Sequence, residues 1–124
     1  MSDLYQEIIL EELKHPRHQG VLDGEGVRSK HGVNASCGDE VTLFVKVTSQ
    51  DKPLKLKWKG IGCAISMVSM SLLADKINSE HLTIPEVRDL SEKDLLELLG
   101  LDQISTGRIK CMMLGLRTLN NLLE

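Results

Sequence analysis

The sequence predicts an α+β fold, a three-stranded antiparallel sheet packed on one side by about five helices. Three patterns carry that expectation. Stretches that read as strands lie close together between residues 27 and 59, joined by connections too short for anything but antiparallel neighbours. An apolar segment carrying small residues runs from Cys63 to about Ile77. A leucine-rich stretch then closes the chain, with leucines at 114, 116, 119, 122 and 123.

Taken in order, Asp3 to about Lys14 reads as a helix, because Leu4, Ile8, Ile9 and Leu13 recur near helical spacing with Glu7, Glu11 and Glu12 between them. His15-Pro16 ends it, since the residue before proline is pushed out of the α region. Gly20, Gly24 and Gly26 mark a loop. Val27 to Val33 is a short strand with weak alternation, and Cys37-Gly38-Asp39 reads as a turn. Val41 to Thr48 is the strongest strand, rich in β-branched residues, and Ser49 to Pro53 turns the chain back. Leu54 to Lys59 alternates apolar and basic residues, so one face is buried and the other solvated.

Gly60 and Gly62 flank a break before the segment opened by Cys63, where Ala64, Ser66, Ser69 and Ser71 allow close packing onto a sheet. Thr83-Ile84-Pro85-Glu86 has the spacing of a capping box, and Ser91 starts a further short helix that Gly100 can end. Arg108 to Leu123 forms the terminal helix. With no repeats, low-complexity tracts or linker, residues 1–124 read as one domain.

Composition narrows the function. Aromatic residues make up 2% of the 124, so the core is aliphatic and the stacking platforms that hold single-stranded nucleic acid are missing. A net charge of −3 argues against nucleic acid or an anionic membrane and for protein partners. No apolar run approaches the roughly 20 residues of a membrane span. The first residues, Met1 to Glu7, lack the basic start and apolar stretch of a secretory signal and are too acidic for a transit peptide. Three cysteines, an odd number, do not make a disulfide framework. The expectation is a cytoplasmic protein with reduced thiols.

Those cysteines are the chemically informative residues. Cys37 lies in Asn34-Ala35-Ser36-Cys37-Gly38-Asp39, Cys63 in Gly60-Ile61-Gly62-Cys63-Ala64-Ile65-Ser66, and Cys111 in Gly107-Arg108-Ile109-Lys110-Cys111. With Asp39 they offer four ligands, enough to close a tetrahedral zinc site or hold a small iron–sulfur cluster. Cys63 directly precedes a helix, and Cys111 falls in the first turn of the terminal helix beside Arg108 and Lys110. Both positions favour the thiolate, the form that binds metal or attacks sulfur. Cys37 sits in a glycine-bearing loop, and a carboxylate among thiolates is the more exchangeable ligand. The residues alone leave alternatives open. A cysteine is commonly a small buried hydrophobe, no Cys-x-x-Cys pair exists, and 26 and 48 positions separate successive cysteines. A structural zinc module for protein interaction remains a reading, as does a thiol enzyme with a histidine base, although His15, His18, His31 and His81 are all remote in sequence from Cys63 and Cys111.

In order and surroundings the three cysteine segments resemble the U-type iron–sulfur cluster assembly family, which comprises IscU, SufU and the N-terminal domain of NifU. His15-Pro16-Arg17-His18-Gln19-Gly20 likewise resembles that family's Asn-Pro-Arg-x-x-Gly after its first helix. The resemblance spans nearly the whole chain. It implies that Cys37, Asp39, Cys63 and Cys111 receive sulfur from a cysteine desulfurase and hold a transient [2Fe–2S] cluster for a downstream acceptor. It also implies, for the SufU branch, a bound Zn²⁺ and persulfide relay to a separate scaffold protein. Lys110 stands where scaffold-type members carry histidine, which is SufU-like, yet most of the SufU insertion between the second and third cysteines is missing. Ile104-Ser105-Thr106-Gly107-Arg108 replaces the Leu-Pro-Pro-Val-Lys segment read by chaperones, and Asn34-Ala35-Ser36 replaces Asn-Pro-x. Cys111, late in the chain and beside two cations, is the expected persulfide acceptor.

Overall fold

The computed structural model describes residues 3–124, with side chains from residue 7 onward. The order is α1 (Asp3–Lys14), β1 (Val27–Asn34), β2 (Asp39–Lys46), β3 (Lys55–Ile61), α2 (Ala64–Ser79), α3 (Ile84–Arg88), α4 (Glu92–Leu99) and α5 (Thr106–Leu122). The expected α+β class therefore holds, with three strands and five helices. The Leu4 side chain assigned to the apolar face of α1 lies outside the described residues.

The strands form an antiparallel meander in the order β1-β2-β3. Its alternation decides what faces the helices. Val41, Leu43 and Val45 point inward, opposite Leu56 and Trp58 of β3, and all five are at most 1% exposed. The other face is left to exposed Glu40, Lys46, Lys55 and Lys59, with Lys59 Nζ 5.8 Å from the Phe44 ring centre. Two boundaries differ from the sequence reading. Strand β2 begins at Asp39, paired with Asn34, so Asp39 is the first strand residue and shares the inward parity of Val41. Strand β3 runs through Gly60 and Ile61, paired with Val41 and Glu40, where a break was expected. Gly60 stays in the ladder because it packs against β2: a Cβ there would lie 2.5 Å from the Glu40 carbonyl oxygen.

Helices α2 and α5 cover the inner face. Val68, Met70, Leu73, Ala74 and Ile77 of α2 meet Met112, Leu114, Leu116 and Leu119 of α5 in the core. The two backbones approach closely at Gly115, where a Cβ would lie 2.5 Å from Met70 Sδ. Buried hydroxyls on α2 are paired: Ser69 donates to the Met112 carbonyl at 2.7 Å and Ser71 to Glu12 Oε2 at 2.7 Å. The segment after α1 is stitched to the edge of β3, which covers that edge. The Trp58 amide donates to the His18 carbonyl at 3.0 Å, the Gly20 amide to the Trp58 carbonyl at 2.9 Å, and the Trp58 indole to the Arg17 carbonyl at 2.8 Å. Among the described residues, no helix is long and apolar enough to cross a membrane.

Candidate metal centre

The three cysteines and Asp39 meet at one end of the sheet, each delivered by a different local feature. Strand β1 ends at Asn34, whose carbonyl accepts the Cys37 amide at 3.2 Å, closing a turn that holds the Cys37 side chain at the surface. Gly38 then takes φ 71°, a left-handed conformation that glycine adopts without steric cost, and returns the chain into β2 at Asp39. Parity turns the Asp39 carboxylate inward, where it is 1% exposed. Cys63 is the N-cap of α2, extended at φ −71° and ψ 166°, and its amide donates to Asp39 Oδ1 at 2.8 Å. Cys111 reaches the same point from α5.

Cys37, Asp39 and Cys111 place one ligand atom each within 4.8 Å of one another. Cys111 Sγ is 3.3 Å from Cys37 Sγ. Cys63 stands slightly apart from that trio but touches it, with its Sγ 3.9 Å from Asp39 Oδ2. All four residues expected from the sequence are thus brought together. The donor set, three sulfurs and a carboxylate oxygen, suits zinc or iron. A cavity of about 370 Å³ opens onto Cys37, Cys63 and Cys111 between Ser105, Gly107 and Arg108.

One part of the electrostatic expectation is corrected. Helix α5 starts at Thr106, two residues before the expected Arg108, so Cys111 lies in its second turn and is 1% exposed. Burial pushes the Cys111 thiol well above its ordinary pKa, and the neighbouring Cys37, Cys63 and Asp39 groups push it further. Arg108 and Lys110 are exposed and do not offset this. A cation among the sulfurs reverses the balance, because binding deprotonates the thiol. Burial also raises the Asp39 pKa, but hydrogen bonds from the Cys63 amide and from the Cys111, Ser66 and Asn34 side chains outweigh it and hold the carboxyl below its usual value.

Two neighbours were not singled out for the site by the sequence reading. Asn34 Nδ2 lies 3.3 Å from Asp39 Oδ2 and 3.6 Å from Cys111 Sγ. Ser66 Oγ lies 3.6 Å from Cys63 Sγ and donates to the Cys63 carbonyl at 3.1 Å. The available signal was position: Ser66 is one helical turn after Cys63, and Asn34 opens the turn that carries Cys37. The histidines stand elsewhere. His31 Nδ1 pairs with Thr42 Oγ1 at 2.9 Å on the outer sheet face, and His18 Nε2 meets Asp75 Oδ1 at 3.1 Å. No described histidine is hydrogen-bonded to a cysteine sulfur.

A protein of Thermotoga maritima named iron-sulfur cluster assembly scaffold protein IscU is 32% identical over 135 residues, covering 98% of this chain and 93% of that protein. The zinc-dependent sulfurtransferase SufU of Bacillus subtilis is 33% identical over 82 residues, 66% of this chain and 54% of that one. The crystal structure of FiSufU from Fervidobacterium islandicum AW-1 superposes with a TM-score of 0.74 at 25% identity over the full length of both chains. Since the NifU-like N terminal domain family also matches residues 4–123, this chain belongs to that family.

Proposed function

We propose that this protein is an iron–sulfur cluster assembly scaffold of the cytoplasm. It takes sulfur from a cysteine desulfurase, assembles a transient cluster of the [2Fe–2S] type on Cys37, Asp39, Cys63 and Cys111, and passes it to a downstream acceptor. The observation that carries this reading is the convergence of three thiols and one carboxylate on a cavity open to solvent. A structural zinc site closes with four tight ligands, whereas an exposed Cys37 and a carboxylate suit a cargo that must leave. Likeness to both an IscU scaffold and a SufU protein supports the family's chemistry at this site.

Sulfur enters at Cys37, the exposed thiol, and comes to rest on Cys111. The Cys37 thiolate attacks the terminal sulfur of the desulfurase persulfide, and the enzyme's cysteine leaves as a thiolate. Cys111 Sγ, 3.3 Å from Cys37 Sγ, then attacks the outer sulfur of the Cys37 persulfide, and the Cys111 proton passes to Cys37, which leaves as the thiol. Arg108 at the cavity mouth offers positive charge to the anionic sulfur. Mass mapping after desulfurase treatment tests this: the added sulfur is expected on Cys111 in the parent protein, on Cys37 in Cys111→Ser, and on neither in Cys37→Ser. Loading of Cys111 in Cys37→Ser would overturn the order of transfer.

A second reading, a zinc-dependent sulfur relay to a separate scaffold, is favoured by Lys110 before the third cysteine and by the SufU relative. In that case Zn²⁺ held by the same four residues stabilises the thiolates. Metal analysis of protein purified without added iron or zinc separates the two. Visible absorbance after reconstitution with iron, sulfide and desulfurase, lost in Cys63→Ser and Cys111→Ser, supports the scaffold. One tightly held zinc per chain, with no cluster formed, supports the relay.

A further inference from the structure

The two N–H bonds of the Asn34 side chain are divided between ligands that come from opposite ends of the chain. Nδ2 faces Asp39 Oδ2 at 3.3 Å and Cys111 Sγ at 3.6 Å, while the Asn34 carbonyl accepts the Cys37 amide at 3.2 Å. One residue thereby touches three of the four proposed ligands. It is 6% exposed, and its pairing with Asp39 at the end of the β1–β2 ladder fixes where the amide points. Both atoms it faces are acceptors when ionised, so only the NH₂ end of the amide satisfies them.

We infer that Asn34 is a positioning residue that sets the geometry and electronic character of the centre. Through Oδ2 it orients the Asp39 carboxylate against the pull of the Cys63 amide on Oδ1, so that both oxygens are held by fixed donors. Through the N–H···S contact it draws electron density from the Cys111 sulfur, which weakens donation to a bound metal and raises the reduction potential of a bound cluster. Ser66 plays a lesser part at Cys63, because its hydroxyl is already committed to the Cys63 carbonyl. The exposed Cys37 side chain has no such donor from outside the ligand set among the described residues. The centre is therefore asymmetric: Asp39 and Cys111 are oriented by fixed donors, and the Cys37 side chain is not.

This inference rests on the four-ligand reading above, and its test separates the two. Zinc affinity is measured by chelator competition, and cobalt(II) is added to the metal-free protein to record its visible spectrum, in the parent, Asn34→Leu and Asn78→Leu. Leucine keeps the branched skeleton of asparagine, with somewhat more bulk, and removes the donor. Asn78 serves as a structural control, because its side chain bonds only the Leu56 amide and carbonyl, both at 2.9 Å, far from the thiols. Asn34→Leu is expected to lose roughly 10- to 100-fold in zinc affinity, because the lost orientation of Asp39 outweighs the stronger donation of the freed Cys111 sulfur, and to shift the sulfur-to-cobalt charge-transfer band. Asn78→Leu is expected to lower the melting temperature while leaving affinity and spectrum unchanged. If the parent itself binds neither metal stoichiometrically, the four-ligand reading fails. If the parent binds and Asn34→Leu matches it in affinity and spectrum, the role of Asn34 is overturned. If Asn34→Leu does not fold, Asn34→Ser, which keeps a shorter donor, must fall between parent and Asn34→Ala in affinity; no such order would equally sink the inference.

Discussion

Gly62 shows how little room the centre leaves. A Cβ at this position would lie 2.5 Å from Asp39 Oδ1 and 2.8 Å from Ser66 Oγ, so the site is closed to any side chain before Cys63. Gly62→Ala should displace the carboxylate, costing about 1–3 kcal/mol in stability through overpacking and weakening zinc binding at the same time. Denaturant melts with parallel metal competition check both; a variant that binds zinc as tightly as the parent would show that Asp39 is not held there. Asp39→Ala acts differently. It removes the hard oxygen ligand and leaves the thiolates, so a bound cluster or zinc ion should exchange more slowly, by the softness of the remaining set. Chelator-driven release rates measure this, and faster release than in the parent contradicts it.

At the scale of elements, the short helices depend on their caps. Thr83 and Glu86 close a capping box on α3, and Ser91 and Asp94 close one on α4. Asp94 Oδ2 accepts the Ser91 amide at 2.7 Å and the Ser91 hydroxyl at 3.0 Å. These bonds lower the Asp94 pKa below its ordinary value of 3.8, against a smaller opposing effect of burial. A pKa depressed on folding stabilises the protein fully above the unfolded value and ceases to do so as pH falls through the folded one. Asp94→Ala should therefore cost about 0.5–2 kcal/mol at neutral pH, with the gap to the parent shrinking below pH ~3. Urea melts at pH 7 and pH 2 test the sign: an unchanged gap would mean the cap works without its charge.

The whole molecule should fold without metal. Of the buried core, which runs from Val41 through Trp58 and α2 to Leu123, only Cys111 is a proposed ligand. A chain of this size buries enough apolar surface to fold without a metal staple. Chelation should leave the far-ultraviolet dichroism intact and lower the melting temperature only through lost binding energy. Unfolding on chelation would instead point to the structural zinc module. Stability resides in the sheet: Leu43→Ala, at a position 0% exposed in the central strand, should cost about 2–5 kcal/mol in an equilibrium melt.

Much of this architecture was legible in the sequence because its signals are local. The alternation of Leu54 to Lys59, the β-branched run from Val41, the proline after α1, the capping-box spacing from Thr83 to Glu86 and the helix start at Ser91 each report on a few neighbouring residues. They mark strands, stops and caps within a residue or two. The proposed ligands were picked out by motif order, since Cys37, Cys63 and Cys111 lie in segments whose resemblance extends along the chain. What tertiary structure decided was burial and mutual orientation. Whether Asp39 belongs to a turn or to the ladder depends on pairing with Asn34, and that pairing turns its carboxylate inward. Cys111 looked like a thiolate in the first turn of a helix. Instead, the two extra residues at the head of α5 and the packing of that helix on the sheet bury it and raise its pKa. Local preference is carried by each residue in turn, but the dielectric around a thiol and the donors aimed at it come from segments far away along the chain, and only folding brings them together.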